Sequence, residues 1–204
     1  LMTAVGFEKA IRYKESLSNI SKSVPGVQLD FSACAKGYAV DLIGKLMQNR
    51  GIDNYFVDIG GEVRARGISP RGDAWNVGIQ TPREDAAMGE IQLIVPLNDI
   101  SVATSGNYRN FYEVEGRKYS HTINPFTGFP ERSTLLSASV FHESCAIADA
   151  FATAFMVMGA EKAYAFASGR TDMDAYFIIA GADGVLEEKY TSGLAAYFAE
   201  QTKN

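Results

Sequence analysis

One run constrains this chain more than any other: Ile147-Ala148-Asp149-Ala150-Phe151-Ala152-Thr153-Ala154-Phe155-Met156-Val157-Met158-Gly159. Its nearly unbroken apolar character and terminal glycine predict a buried helix that stops at Gly159. Two oxygen-bearing side chains interrupt it, Asp149 and Thr153. Their i, i+4 spacing puts both on one helix face, one turn apart. Alanines flank them, so a ligand or another backbone has room to approach. A hard cation such as Mg²⁺ takes oxygen ligands and usually only one or two protein carboxylates. The same residues also suit a purely structural helix, with Asp149 capped and Thr153 bonded back to the i−4 carbonyl. Both readings stand on this stretch alone.

The rest of the chain has to bury that helix. With 204 residues, 47% of them hydrophobic, it has material for one sizeable core or at most two small ones. The net charge is −5 with no basic tract, which argues against broad nucleic-acid binding. Two cysteines, Cys34 and Cys145, lack the spacing of a zinc site or a disulfide framework and read as small buried hydrophobes. No apolar run approaches the ~20 residues that cross a bilayer as a helix. The opening Leu1-Met2-Thr3-Ala4-Val5-Gly6-Phe7 lacks a basic n-region and a cleavage site, and it reads as an internal piece of a longer chain.

Periodicity predicts the other elements. A mixed opening over 5–19 leads to a turn at Pro25-Gly26. Residues 27–31 alternate like a strand, and a small-residue turn at 32–37 then opens a helix over 35–50, closed by Gly51. Such a strand–turn–helix junction can offer backbone N–H groups to a phosphate. No P-loop and no GxGxxG accompany it. Further strands are expected over 54–59, 62–67, 75–80, 91–96, 100–104 and 133–141, with a hairpin about Glu115-Gly116. Gly60-Gly61 suits either a bulge or a plain hairpin turn. A short helix over 161–168, strands over 174–180 and 185–190 about a turn at 182–184, and a helical segment over 194–201 complete the pattern. It is an α+β arrangement, an antiparallel-rich sheet with packed helices. His121, one of two histidines, lies beside a Pro- and Gly-constrained loop and is a candidate for acid–base work.

Five segments together resemble the ApbE family of FAD:protein FMN transferases. They are Asp30-Phe31-Ser32-Ala33-Cys34-Ala35-Lys36-Gly37-Tyr38-Ala39-Val40-Asp41, Asp58-Ile59-Gly60-Gly61-Glu62-Val63, Ser105-Gly106-Asn107-Tyr108, Tyr119-Ser120-His121-Thr122-Ile123-Asn124-Pro125-Phe126-Thr127-Gly128, and Ala148-Asp149-Ala150-Phe151-Ala152-Thr153-Ala154. The resemblance implies a T-fold-related ApbE-like domain over residues 1–204, short of an N-terminal portion that supplies part of the FAD pocket. It implies a Mg²⁺-dependent enzyme that passes FMN from FAD to a Ser or Thr hydroxyl of an acceptor protein in a membrane redox complex, releasing AMP. Asp149, Thr153 and the carbonyl of Ala33 match its metal ligands. Asp30, Lys36, Ser105, Thr122 and Ile123 match flavin-contacting positions, and His121 is the candidate base. Some relatives carry a second carboxylate where this chain has Ala152, which implies weaker binding of the free metal and tighter binding with nucleotide present. FAD hydrolysis without an acceptor and a non-catalytic flavin-binding scaffold are the rival expectations. The family resemblance further implies a periplasmic or extracytoplasmic location, with the parent protein lipid-anchored to the inner membrane.

Overall fold

The computed structural model describes residues 5–14, 16, 19–83, 89–107, 111–114, 117–120, 123–130, 133–181 and 185–195. In chain order the elements are α1 (Phe7–Ala10), β1 (Ile11–Lys14), β2 (Asn19–Lys22), α2 (Ala35–Asn49), β3 (Tyr55–Ile59), β4 (Glu62–Arg66), β5 (Trp75–Gln80), β6 (Ile91–Leu97) and β7 (Ser101–Gly106). They continue with β8 (Phe111–Val114), β9 (Arg117–Ser120), β10 (Leu135–His142), α3 (Cys145–Met158), α4 (Ala160–Ser168), β11 (Asp174–Ala180) and β12 (Leu186–Tyr190).

Six strands form one antiparallel sheet in the order β12-β11-β10-β7-β4-β3. The period-2 alternation of its strands splits the core into two layers. On one face Ala103, Val140, Ala175 and Phe177 meet α3 and α4 through Ala148, Ala152, Phe155 and Ala163. On the other, Val63, Val102, Tyr176 and Ile178 meet the β5–β6 hairpin through Ile79, Leu93 and Val95. A bulge between Leu135 and Ser137 returns β10 to phase, so Leu135 and Val140 both join the helix-side cluster despite their odd separation. The expected α+β, antiparallel architecture is the one observed.

Most expected elements are present within a residue or two at each end, and Gly60-Gly61 proves to be a hairpin turn with φ of 63° and 99°. The strand expected over 27–31 is not formed. Its alternation is real, but only Val27 of that face is buried while Leu29 and Phe31 lie exposed, so no continuous apolar face rewards pairing. The chain there is instead held locally: the Val27 carbonyl accepts from Lys22 Nζ at 2.8 Å, and Ser32 N donates to Asp30 Oδ1 at 2.7 Å. In α2, Val40, Ile43 and Met47 pack inward, Gly37 and Gly44 complete the packed face, and Leu46 is exposed. Turn 182–184 and most of the C-terminal helical segment lie outside the described residues, though Ser192–Leu194 forms one 3₁₀ turn.

Candidate active site

Helices α2 and α3 cross at Gly37 and Cys145, and each caps the other. From α2, Asp41 accepts hydrogen bonds from Ser144 Oγ at 2.7 Å, Cys145 N at 2.9 Å and Ala146 N at 3.0 Å, the donors that open α3. From α3, Asp149 Oδ2 accepts from Gly37 N, in the first turn of α2, at 3.0 Å. The two carboxylates then diverge. Asp41 is also held by Arg64 Nη1 at 3.0 Å, so its role is closed and structural. Asp149 also lines a cleft. Cutting Asp41 to alanine would orphan several helix-end donors and leave Arg64 without its carboxylate partner. Urea unfolding of Asp41→Ala is expected to show a loss of about 2–3 kcal/mol, and a change below about 0.5 kcal/mol would contradict this capping role.

The cleft holds about 220 Å³ between the start of α2, the start of β4, the end of β7 and the middle of α3. Lys36, Glu62, Ser105, Asp149 and Thr153 line it, together with Ser32 and Thr104. Thr153 does not turn back on its own helix: its Oγ1 lies 3.1 Å from Ser105 Oγ across the wall. Lys36 Nζ lies 2.5 Å from Glu62 Oε2. Burial raises the carboxyls of both Asp149 and Glu62, against the pull of the Lys36 charge and, at Asp149, of the Gly37 amide. A second cleft of about 430 Å³ adjoins the first at Thr104 and runs past Gly60 and Gly61 toward β5.

Of the residues expected from sequence, the fold brings Lys36, Ser105, Asp149 and Thr153 into one cleft. Ala33 lies in the turn just before Cys34, the residue that caps α2, so its carbonyl stands outside the helical ladder. Asp30 is exposed beside Ser32, and its hydrogen bonds from the Ser32 hydroxyl and amide hold its carboxyl below the usual range. Ile123 lies on an exposed loop closed by an Asn124 N–H bond to Phe129 O at 2.9 Å, and it is not among the residues lining this cleft. His121 and Thr122 lie outside the described residues. The other histidine, His142, accepts from Ser144 N at 2.8 Å at the start of α3. In the 32–37 turn the Ser32 amide is spent on Asp30, those of Cys34 and Ala35 on Phe31 O, and that of Gly37 on Asp149. Cys145 is buried as expected and its thiol pushed up to about 12 by burial and nearby carboxylates; Cys34 is only half-buried. Sequence reasoning left Glu62 unassigned. Its signal was an acidic residue opening a strand directly after the Gly60-Gly61 pair.

Every polar donor toward a cation here is a hard oxygen. Among the described residues, no group of three or more His, Cys, Asp and Glu side chains stands ready to cage a metal. A zinc-type centre is therefore not supported by these residues. The buried Asp149 carboxylate, the Thr153 hydroxyl one turn away and room for waters or phosphate oxygens fit Mg²⁺, which keeps much of its shell from water and substrate.

In this antiparallel α+β domain, an oxygen-lined cleft beside a lysine has the chemistry to hold a cation and an anionic group side by side. The chain is a member of the ApbE family, whose model matches residues 1–177. It is 39% identical over 170 residues to an FAD:protein FMN transferase of Vibrio cholerae, covering 83% of this chain and 50% of that protein. To the FAD:protein FMN transferase of Escherichia coli K12 it is 39% identical over 144 residues, 71% of this chain and 40% of that protein. Its structure is similar to the flavin transferase ApbE from Vibrio cholerae, with a TM-score of 0.84 at 34% identity over 96% of this chain and 60% of that one. It is also similar to the ApbE protein of Thermotoga maritima, with a TM-score of 0.80 at 26% identity over 96% of this chain and 61% of that one. The chain spans about half the length of the curated relatives it matches.

Proposed function

We propose that this chain is a flavin-transferase domain that moves the FMN portion of FAD to a Ser or Thr hydroxyl of an acceptor protein, releasing AMP. The chief support is that Asp149, Thr153, Ser105 and Lys36 converge on one cleft in a member of a family whose curated relatives bear that activity's name. In the proposed step the acceptor oxygen attacks the FMN phosphorus, a new phosphoester forms, and the bond to the bridging oxygen breaks as AMP departs. The acceptor proton passes to a base, for which His121 is the candidate.

Asp149, Thr153 and the Ala33 carbonyl would hold Mg²⁺, which would supply charge neutralisation at the pyrophosphate. The chain's own groups do the rest. Gly37 N–H fixes the Asp149 carboxylate in place. Ser105 fixes the Thr153 hydroxyl, and Lys36 offers a cation to a phosphate oxygen. Asp30, Thr122 and Ile123 are assigned to flavin contact. Extracytoplasmic placement, with a lipid anchor elsewhere in the parent protein and an acceptor in a membrane redox complex, completes the proposal.

The test is an intact-mass measurement after incubation with FAD, Mg²⁺ and a Ser/Thr-bearing acceptor domain. The acceptor is expected to gain one FMN while AMP appears in equal amount. Free FMN with an unmodified acceptor would make the chemistry hydrolytic, and intact FAD would leave only a binding scaffold. His121→Ala is expected to cut transfer by about 10²–10⁴-fold with FAD binding retained. Equal loss of both, read by FAD fluorescence and mass, would make His121 a pocket wall rather than a base.

A further inference from the structure

We propose that Glu62 is a positioning residue for the transfer: its buried carboxylate holds the Lys36 ammonium at a fixed point on the cleft wall, from which it faces the substrate's phosphate. The proposal rests on the flavin-transfer reading and goes beyond it, because Glu62 touches Lys36 and has no assigned part in the reaction.

Several observations point the same way. Glu62 is 3% exposed, and glutamate is seldom buried so deeply without a partner. Burying a charge pair costs folding free energy, and an apolar pair of similar volume often serves stability as well or better. A stabilising role alone is thus a weak reason for the pair. The two side chains are unequal: the Glu62 side chain is buried while that of Lys36 is half-exposed to the cleft. Glu62 Oε2 meets the ammonium at 2.5 Å. An ammonium carries three N–H donors, so the contact places the charge and still leaves a donor for a second acceptor.

The surrounding backbone fixes the anchor. The turn at Gly60 and Gly61 has both residues in the left-handed region, and Gly61 N donates to Asp58 Oδ1 at 2.9 Å. That turn delivers Glu62 as the first residue of β4 and aims the Gly60 carbonyl at Lys36 Nζ, 3.4 Å away. Lysine carries its charge on a flexible four-carbon stem, so an unanchored Lys36 would spread over many rotamers. Anchored, it stands one residue before Gly37, whose amide seats Asp149. One short segment of α2 thus sets the relative position of the cleft's cation and of its principal carboxylate.

Charge alone and positioning predict different effects, one on affinity and the other on rate. Replacing Glu62 with glutamine removes a negative charge from a cleft that receives an anion, so electrostatics alone would tighten FAD binding. Loss of positioning instead slows the chemical step. The experiment measures kcat, KM and the FAD dissociation constant with Mg²⁺ and an acceptor domain for the wild type, Glu62→Gln, Lys36→Met and the double variant, each normalised to folded protein by a thermal melt. Glu62→Gln is expected to lower kcat by about 10- to 100-fold without weakening FAD binding. In the Lys36→Met background the same change is expected to have no further effect. The proposal is overturned if Glu62→Gln keeps kcat within about twofold of wild type, or if the two losses multiply in the double variant. It is equally overturned if the loss only follows the unfolded fraction. A wild-type chain that binds FAD yet neither transfers nor hydrolyses it would overturn the reading of function itself, and this role with it. That outcome is separable, because it is seen before any substitution is made.

Discussion

Replacing Asp149 with asparagine is expected to stop flavin transfer and, at the same time, to raise the melting temperature of the ligand-free protein at neutral pH. The two effects share one cause. Asp149 is 4% exposed, and burial lifts its carboxyl above the ordinary value of 3.8. Over the range from 3.8 up to that raised value, the folded protein retains a proton that the unfolded chain has released. Stability therefore falls as pH rises through this window and stays lower at neutral pH. Asparagine removes that cost while keeping an oxygen to accept the Gly37 N–H bond. It also removes the one carboxylate proposed to hold the cation, and several kcal/mol of transition-state stabilisation would go with it. A fall in turnover of about 10³-fold or more is expected. Calorimetry gives a second readout. Mg²⁺ with AMP should raise the melting temperature of the wild type by mass action and leave that of Asp149→Asn unmoved. Unchanged Mg²⁺-dependent turnover in the variant would remove Asp149 from the metal site.

The second large effect is expected at Gly37, where one methyl group should cost the fold. A Cβ built there would stand 2.3 Å from the carbonyl oxygen of Cys145 and 2.6 Å from its carbonyl carbon. Both are backbone atoms of α3, so no side chain can swing away to relieve the overlap. Helix α2 would have to lift from α3, which opens the crossing and pulls the Gly37 amide from Asp149. Overpacking of well-packed sites typically costs about 1–3 kcal/mol, and this contact, lying against backbone, belongs at or above the top of that range. Denaturant unfolding of Gly37→Ala should show that loss together with weakened Mg²⁺ affinity. Gly44→Ala is the useful contrast. Its Cβ would meet the Arg64 Cδ atom at 2.9 Å and Tyr55 OH at 3.1 Å, both side-chain atoms that can shift. A Gly37 variant as stable as the Gly44 variant would contradict the close crossing.

These expectations show where the sequence was legible. The Asp149/Thr153 pair could be read from spacing because i, i+4 geometry is local, and the strands could be read because alternation records a buried face. What each group does across the molecule could not be read in this way. Asp149 meets the amide of a residue 112 positions away, and Asp41 meets Ser144 at a separation of 103. Either residue alone is simply an acid on a helix. Residues 27–31 alternate like a strand yet form none, because a strand needs a partner and a buried side that its own sequence does not supply. Glu62 had the opposite problem. In sequence it begins a strand among charged and apolar neighbours, and only the turn at Gly60-Gly61 folds it under Lys36. The resemblance of five segments to one family supplied roles that no periodicity contains, and for His121 and Thr122, outside the described residues, it remains the source of the assignment.

In the proposed reaction Asp149 and Thr153 seat a divalent cation against the phosphates of the nucleotide. Crystals grown with Mn²⁺ and AMP, measured at a wavelength where manganese scatters anomalously, test it most directly. An anomalous peak is expected in the cleft within bonding distance of an Asp149 carboxylate oxygen and the Thr153 hydroxyl, with a phosphate oxygen of AMP in its shell. A nucleotide bound elsewhere, or one bound in this cleft with the metal peak absent or away from Asp149, would contradict it.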